Sequence, residues 1–181
     1  MNVICRRGAF LVLTAALAIS AHAQNKPPSA SEVLNNAVQT AKAQQKNVLI
    51  HFGASWCIWC KHLDEMLESK EVGKLFQDNY VIAHLTIQER NEKVALENPG
   101  AQEMANSAGA KDAGVPVFIF FDSAGNRLAT SMAMPDGGNI GHPASPEEIK
   151  AFDGLLEKTA PRMSAAERKQ IADYLSKQKY K

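Results

Sequence analysis

The 181-residue sequence contains only three cysteines, and its most apolar stretch is too short for a membrane span. That stretch, residues 10–19, follows Arg6 and Arg7 and precedes the small residues Ala21 and Ala23. A basic segment, a short apolar segment and a small-x-small site together predict a secretory signal peptide, cleaved after Ala23. A membrane span needs about 20 apolar residues. An uncleaved N-terminal anchor is the alternative.

The sequence also lacks an excess of charge of either sign. Without Arg6 and Arg7, 18 of the 20 basic residues remain against 19 acidic ones. A near-neutral domain offers no electrostatic attraction for nucleic acid or for an anionic membrane surface. We therefore expect no nucleic-acid partner. Hydrophobic residues make up 45% of the chain and charged residues 22%, which indicates a globular protein and not a disordered one.

Cleavage of the signal peptide removes Cys5 and leaves Cys57 and Cys60 as the cysteines of the mature chain. Two cysteines three positions apart in an oxidising compartment are a redox pair or a pair of ligands. A structural disulfide is disfavoured, because so tight a loop restricts little of the unfolded chain.

If the two cysteines are ligands, each possible site requires further residues that the motif itself does not supply. Zinc requires four ligands, which His51 and His84 would have to complete. A c-type haem site requires histidine directly after the second cysteine, where this chain has Lys61. We therefore expect no metal and no organic cofactor. A lysine variant of the haem site and a Cys₂His₂ zinc site are the alternatives.

The spacing of apolar residues predicts the order α-β-α-β-(α)-β-β-α-α, with a central mixed β-sheet flanked by helices on both faces. Strands are predicted over residues 47–53, 80–87, 115–121 and 127–134, helices after Ser29, Cys57, Ser145 and Ser164, and a short helix over 101–108. We divide the chain into a signal peptide (1–23), a flexible N-terminus (24–30), one α/β domain (31–160) with an insertion at 88–110, and a C-terminal helical extension (161–181).

The Cys57-Ile58-Trp59-Cys60 motif lies where the first predicted strand gives way to a helix. Unpaired N–H groups and the macrodipole at a helix N-terminus stabilise a thiolate and lower the pKa of the first cysteine. The second cysteine, one turn further, can then attack a mixed disulfide formed by the first. This arrangement predicts Cys57 as an exposed nucleophile and Cys60 as a buried resolving thiol.

The segments HFGASWCIWCK (51–61) and GVPVFIFFD (114–122) resemble the thioredoxin-like superfamily, and secreted bacterial members with a Trp-Cys-x-x-Cys-Lys motif are most similar. The resemblance implies a thioredoxin-like fold, a role for Trp56 beside the nucleophile, and a cis Pro116 that faces the disulfide. It also implies that the backbone of Val115 hydrogen-bonds an incoming substrate strand. Trp59 is a further candidate for contact with a flexible partner segment.

Two features depart from the best-known members of that superfamily. The dipeptide between the cysteines is Ile58-Trp59, which carries no charge and does not indicate the direction of catalysis. His51 stands where thioredoxins have a buried aspartate, and His84 where they have its lysine partner. We hypothesise that the His51–His84 pair accepts the proton of Cys60. The alternative is that both are ordinary core or partly exposed histidines. We expect His142 to be a surface residue, and the alternative, implied by the topology of the superfamily, is that it lies near the active site.

The predicted function is a periplasmic or secreted thiol–disulfide oxidoreductase that exchanges disulfides with protein thiols through Cys57 and Cys60. A membrane protein is its expected redox partner. Two alternatives are a pathway-specific reductant, as in cytochrome c maturation, and a non-catalytic module that binds a partner with the same fold.

Overall fold

The computed structural model describes residues 26–179, so the predicted signal peptide lies outside the described residues. Within this range the helices are α1 (Ala30–Gln44), α2 (Ile58–Glu68), α3 (Gly73–Asn79), α4 (Ala101–Ala105), α5 (Pro146–Thr159) and α6 (Ala165–Lys177). The strands are β1 (Asn47–Gly53), β2 (Tyr80–Thr86), β3 (Val117–Phe121) and β4 (Arg127–Thr130). A 3₁₀ helix (Asn91–Leu96) precedes α4, and a π-type turn (Asn106–Ala110) follows it.

The four strands form one mixed sheet in the order β2-β1-β3-β4. β1 runs parallel to β2 and antiparallel to β3, and β4 returns antiparallel to β3. Helices cover both faces of this sheet. The predicted α/β architecture, with its mixed sheet and additional C-terminal helix, is confirmed.

Alternate side chains of the two central strands enter separate hydrophobic cores, as the period of two in a strand requires. On one face, Leu49, Phe118 and Phe120 pack with residues of α2, α3, α5 and α6. On the other face, the remaining apolar residues of β1 and β3 pack with α1 and α4. Both faces are buried, which explains why these strands are almost continuously apolar. The alternation also places His51 on the face covered by α2.

The sequence prediction of the elements needs four corrections. It missed α3, whose seven residues are too few to show a helical period. The third strand begins at Val117 and not at 115, because Pro116 has no N–H for the ladder. The fourth strand ends at Thr130, after which the chain turns back so that Ile140 N–H donates to the Ser131 carbonyl at 2.8 Å. The helix predicted over 101–108 becomes irregular after α4, and Gly109 has φ of 91° there.

The two C-terminal helices begin at capping boxes that the sequence predicts. The Ser145 side chain accepts the Glu148 N–H, and Ser164 does the same for Glu167. Each cap satisfies backbone donors that the first turn leaves unpaired. Ile171 buries its side chain in the core beside α5, so α6 is part of the packed structure.

Over residues 26–179, no helix combines the length and the apolar character that crossing a membrane requires.

Candidate active site

Cys57 caps the N-terminus of α2, directly after the loop that leaves β1. Its Sγ accepts the backbone N–H of Cys60 at 3.0 Å, and the two cysteines form a disulfide. The same N–H and the positive end of the helix dipole would face a thiolate formed at Cys57 on reduction. The strand-to-helix junction therefore provides the electrostatic setting that the sequence predicts.

The prediction that Cys57 is exposed is wrong for the disulfide state. Cys57 exposes 3% of its surface and Cys60 4%. The two cysteines pack with Ala54, and Val115 covers them from the side. Burial thus does not distinguish the two sulfurs; the position of Cys57 at the helix cap does.

The segment that contains Val115 and Pro116 passes across the disulfide. The peptide bond between these two residues is cis, and the Val115 carbonyl oxygen lies 3.4 Å from Cys57 Sγ. Asn139 holds the segment in place by donating from Nδ2 to the carbonyl oxygens of Gly114 and Pro116, both at 2.9 Å. A substrate that reaches Cys57 would meet this backbone.

The residues next to the cysteines form an apolar surface. Trp56, Ile58 and Trp59 are all exposed. The Trp56 indole is nevertheless fixed, because its Nε1 donates to the Gln88 carbonyl at 2.7 Å and the Arg90 guanidinium lies 3.9 Å from its ring centre. The rim of the site therefore includes residues 88–90 of the predicted insertion.

His142 lines a cleft with Trp59 and Pro116, and the prediction that it is a surface residue is wrong. Its ring is buried and stacks on Trp59 with ring centres 6.1 Å apart, and His62 lies 6.0 Å away. The chain turn described above, which joins Ile140 to Ser131, carries His142 into this position. Burial and the nearby charge of His62 lower the pKa of His142 to about 4, against a weaker opposing effect of Glu148.

His51 and His84 face each other on adjacent parallel strands, since they are register partners in the β1–β2 pair. Their Nδ1 atoms are 3.1 Å apart, and Asp64 Oδ1 lies 3.0 Å from Nδ1 of His51. Burial of the ring and the charge of His51 lower the pKa of His84, while Asp64 and Glu68 oppose this shift. The predicted pair thus exists as part of a cluster of three side chains.

The other nitrogen of His51 points toward the resolving cysteine. His51 Nε2 is buried and has no hydrogen-bond partner within residues 26–179. A Cβ built on Gly53 would lie 3.1 Å from this nitrogen and 3.2 Å from Cys60 Sγ, so the missing side chain of Gly53 leaves the space between them open. The role of the His51–His84 pair as proton acceptor for Cys60 stays a prediction.

Asp64 is absent from the predicted site residues. It follows Cys60 by four positions, and this i, i+4 spacing puts both side chains on one face of α2. If α2 is expected to pack on the face of the sheet that contains His51, the spacing from Cys60 identifies Asp64 as a site residue.

Glu89 is a second residue that the sequence prediction missed. Its buried carboxylate accepts the Ser55 N–H at 2.6 Å and the Ser55 hydroxyl at 3.0 Å. Lys93 Nζ donates to the same hydroxyl at 3.0 Å. These bonds attach the start of the 88–110 segment to the loop that precedes Cys57. Nothing in the sequence around Glu89 indicates this contact, since the two partners are 34 positions apart.

The fold and the site together define a class of protein. A disulfide between cysteines three positions apart, at the start of the helix that follows a central strand of a mixed sheet, defines a thiol–disulfide oxidoreductase. The chain belongs to the thioredoxin-like family, whose sequence profile matches residues 30–123, more than half of its length.

Several solved structures are similar to this chain. A disulphide isomerase from Xylella fastidiosa Temecula1 is 19% identical with a TM-score of 0.48, over 91% of this chain and 98% of that one. A DsbH oxidoreductase is 22% identical with a TM-score of 0.43, over 86% and 95%. The C-terminal domain of DsbD from Neisseria meningitidis, in its oxidised form, is 23% identical with a TM-score of 0.40, over 57% and 84%. No curated protein matches the chain.

Proposed function

We propose that this protein exchanges disulfides with protein thiols in the periplasm, with Cys57 as nucleophile and Cys60 as resolving thiol. The observation that carries the proposal is the disulfide at the capped N-terminus of α2, where Cys57 Sγ accepts a backbone N–H. That position favours a thiolate at Cys57, which is the reactive species and the better leaving group in thiol–disulfide exchange.

The exchange proceeds through a mixed disulfide in either direction. In oxidation, a substrate thiolate attacks Cys57 Sγ, the bond between the cysteines breaks, and Cys60 leaves as a thiolate. A second substrate thiol, as thiolate, attacks the substrate sulfur of the mixed disulfide and releases Cys57. In reduction, the Cys57 thiolate attacks the substrate disulfide, and the Cys60 thiolate then displaces the substrate and restores the Cys57–Cys60 bond. Each exchange moves electrons only between the sulfurs of the protein and those of its substrate, and a separate redox partner restores the starting state of the Cys57–Cys60 pair.

The surface around the disulfide suits an extended or unfolded segment of a partner protein. A cleft of about 270 Å³ lies between Trp59, Val115, Pro116 and His142. Trp59 offers an apolar face to a substrate side chain, and the exposed Ile58 extends that face along the start of α2. The backbone of Val115 is the proposed hydrogen-bonding partner of the substrate strand, because its carbonyl oxygen lies 3.4 Å from Cys57 Sγ.

The proposed location rests on the sequence of the N-terminus. Arg6 and Arg7, the apolar residues 10–19 and the small residues before position 24 are typical of a secretory signal peptide. In an oxidising compartment, a redox pair needs a partner that resets it after each turnover, and a membrane protein that carries electrons or oxidising equivalents across the membrane fits this role.

The first test is exchange activity with a defined control. We expect the mature protein to reduce insulin disulfides in the presence of a thiol reductant, or to oxidise a reduced unfolded protein, and Cys57→Ser to abolish both activities. Cys60→Ser should accumulate a mixed disulfide between Cys57 and the substrate, visible as a higher-mass band without reductant. Activity that survives in Cys57→Ser would contradict the proposal, and inactivity of the wild-type protein in both assays would favour a module that only binds.

The reduction potential of the Cys57–Cys60 couple assigns the direction. A potential near about −270 mV is typical of a reductant such as thioredoxin, whereas one near about −120 mV is typical of an oxidase. Equilibration with glutathione and with dithiothreitol, followed by alkylation of free thiols, measures this value.

One observation favours a restricted set of substrates. The contacts of Glu89 and Lys93 with Ser55, and of Gln88 with Trp56, attach the 88–110 segment to the loop that precedes Cys57. A segment in this position alters the rim of the site on which a substrate would dock. A dedicated reductant of one maturation pathway is therefore the second candidate function. Replacing residues 91–96 by a short Gly/Ser linker should then change the substrate preference more than the rate with a small disulfide.

A further inference from the structure

Three side chains from three different elements bring metal-binding atoms together beside the disulfide. Nδ1 of His51 lies 3.0 Å from Oδ1 of Asp64 and 3.1 Å from Nδ1 of His84. The remaining side of this triangle, from His84 Nδ1 to Asp64 Oδ1, measures 3.5 Å. These atoms come from β1, α2 and β2, so rigid elements fix all three positions.

Hydrogen bonds alone do not account for the triangle. Each imidazole Nδ1 carries at most one proton in the ring plane, and an ionised carboxylate carries none. If both rings hold a proton at Nδ1, both can donate to Asp64, but the two N–H groups then face each other across 3.1 Å. If either Nδ1 is bare, its lone pair faces the carboxylate oxygen. With Asp64 ionised, no placement of protons turns all three contacts into hydrogen bonds.

A cation at the centre satisfies all three atoms at once. Zinc binds imidazole nitrogen at about 2.0–2.1 Å and carboxylate oxygen at about 2.0–2.2 Å, so two ligands of a tetrahedral site lie about 3.3–3.5 Å apart. The observed separations of 3.0–3.5 Å match this spacing to within a few tenths of an ångström. We propose that His51, His84 and Asp64 bind a divalent transition-metal cation of the zinc class.

The surroundings of the triangle suit a cation with one open coordination position. The His51 side chain is 2% exposed, whereas Asp64 is 38% and His84 51% exposed, so a metal could enter from solvent and keep a water ligand. Glu68, one turn beyond Asp64 on α2, interacts electrostatically with His84 and adds negative charge. Lys61, one turn before Asp64, lines the adjoining cleft and is the opposing positive charge.

The set of ligand atoms, two imidazole nitrogens and one carboxylate oxygen, selects the class of metal. Imidazole ligands suit zinc, copper and nickel, whereas calcium and magnesium require oxygen ligands throughout. The sulfurs of Cys57 and Cys60 are joined to each other, so they are not ligands in this state. This site therefore differs from a Cys₂His₂ zinc site, which would require both thiolates as ligands.

The test measures binding to the oxidised protein and does not depend on exchange activity. We expect zinc to bind the mature protein in a 1:1 ratio by titration calorimetry, and cobalt to give the visible absorption of a tetrahedral site without a thiolate charge-transfer band. His84→Ala and Asp64→Asn each remove one ligand from a partly exposed position. Each should lower the zinc affinity by about 100-fold or more, since even outer partners of a ligand are worth 10–100-fold.

Two controls make the result specific. His62→Ala removes another histidine of α2 that pairs with Glu65, and it should leave the affinity within about twofold. A Cys57→Ser/Cys60→Ser double variant should retain the affinity, and loss of zinc binding there would assign the metal to the cysteines instead. Absence of zinc binding to the oxidised wild-type protein would overturn the proposal, and so would wild-type affinity in His84→Ala and Asp64→Asn. Because disulfide exchange is measured separately, either proposal can fail without the other.

Discussion

Lowering the pH from 7.5 to 5 should destabilise the protein through His142. Burial and the charge of His62 lower the pKa of this ring from 6.5 to about 4 in the folded protein. The unfolded chain therefore binds the proton more tightly than the folded one does. The stabilising effect of the neutral ring is complete above pH 6.5 and is lost as the pH falls from 6.5 to 4. For these two pKa values, linkage gives a loss of about 2 kcal/mol in the free energy of unfolding by pH 5.

Urea unfolding at both pH values measures this loss, and variants assign it to the residue. His142→Gln should remove about 2 kcal/mol of the difference between pH 7.5 and pH 5, whatever its effect on stability at neutral pH. His62→Gln should keep most of the dependence, because burial and not the His62 charge is the larger cause of the shift. Carboxylates titrate mainly below pH 5 and affect both variants alike. If His142→Gln retains the full pH dependence of the wild type, His142 is not held neutral in the fold and the reasoning fails.

Three further changes have expected outcomes. Phe120→Ala empties a position with no exposed surface at the centre of one core, and it should cost about 3–5 kcal/mol in urea unfolding; a loss below 1 kcal/mol would contradict the packing. Gly53→Ala brings a methyl group within 3.2 Å of the Cys60 sulfur. It should destabilise the oxidised protein by about 1–3 kcal/mol, the usual cost of overpacking, as thermal unfolding with and without reductant would show. Glu89→Gln weakens two bonds to Ser55, one of them to its backbone N–H. It should lower stability by about 1–3 kcal/mol and increase hydrogen exchange at the Ser55 amide, and unchanged exchange would refute that role.

The features that the sequence predicts correctly are those with a strong local pattern. The buried strands stand out because β1 and β3 are apolar on both faces, and the capped helices stand out because Ser145 and Ser164 each precede a glutamate by three positions. The pairing of Cys57 with Cys60 follows from their spacing at a strand-to-helix junction. In each case, a few consecutive residues contain the physical cause of the structure.

The features that the sequence prediction missed depend on contacts between distant segments. The glycine-rich neighbours of His142 favour a surface position when they are considered alone. Its burial results from the return of the chain after β4, where Asn139 bonds to the carbonyls on either side of Val115. Asp64 reaches His51 only because α2 packs on that face of the sheet. Such placements depend on tertiary packing, which no local pattern reports.

The two tryptophans of the chain lie at positions 56 and 59, on either side of Cys57. All indole emission of this protein therefore arises within a few residues of the disulfide, and a disulfide quenches indole fluorescence at short range. Trp59 also stacks on His142, whereas Trp56 is held by Gln88 and Arg90. Opening of the Cys57–Cys60 bond should therefore brighten the intrinsic fluorescence without any added label. The protein thus carries its own optical reporter, with which electron exchange between it and a partner can be followed in real time.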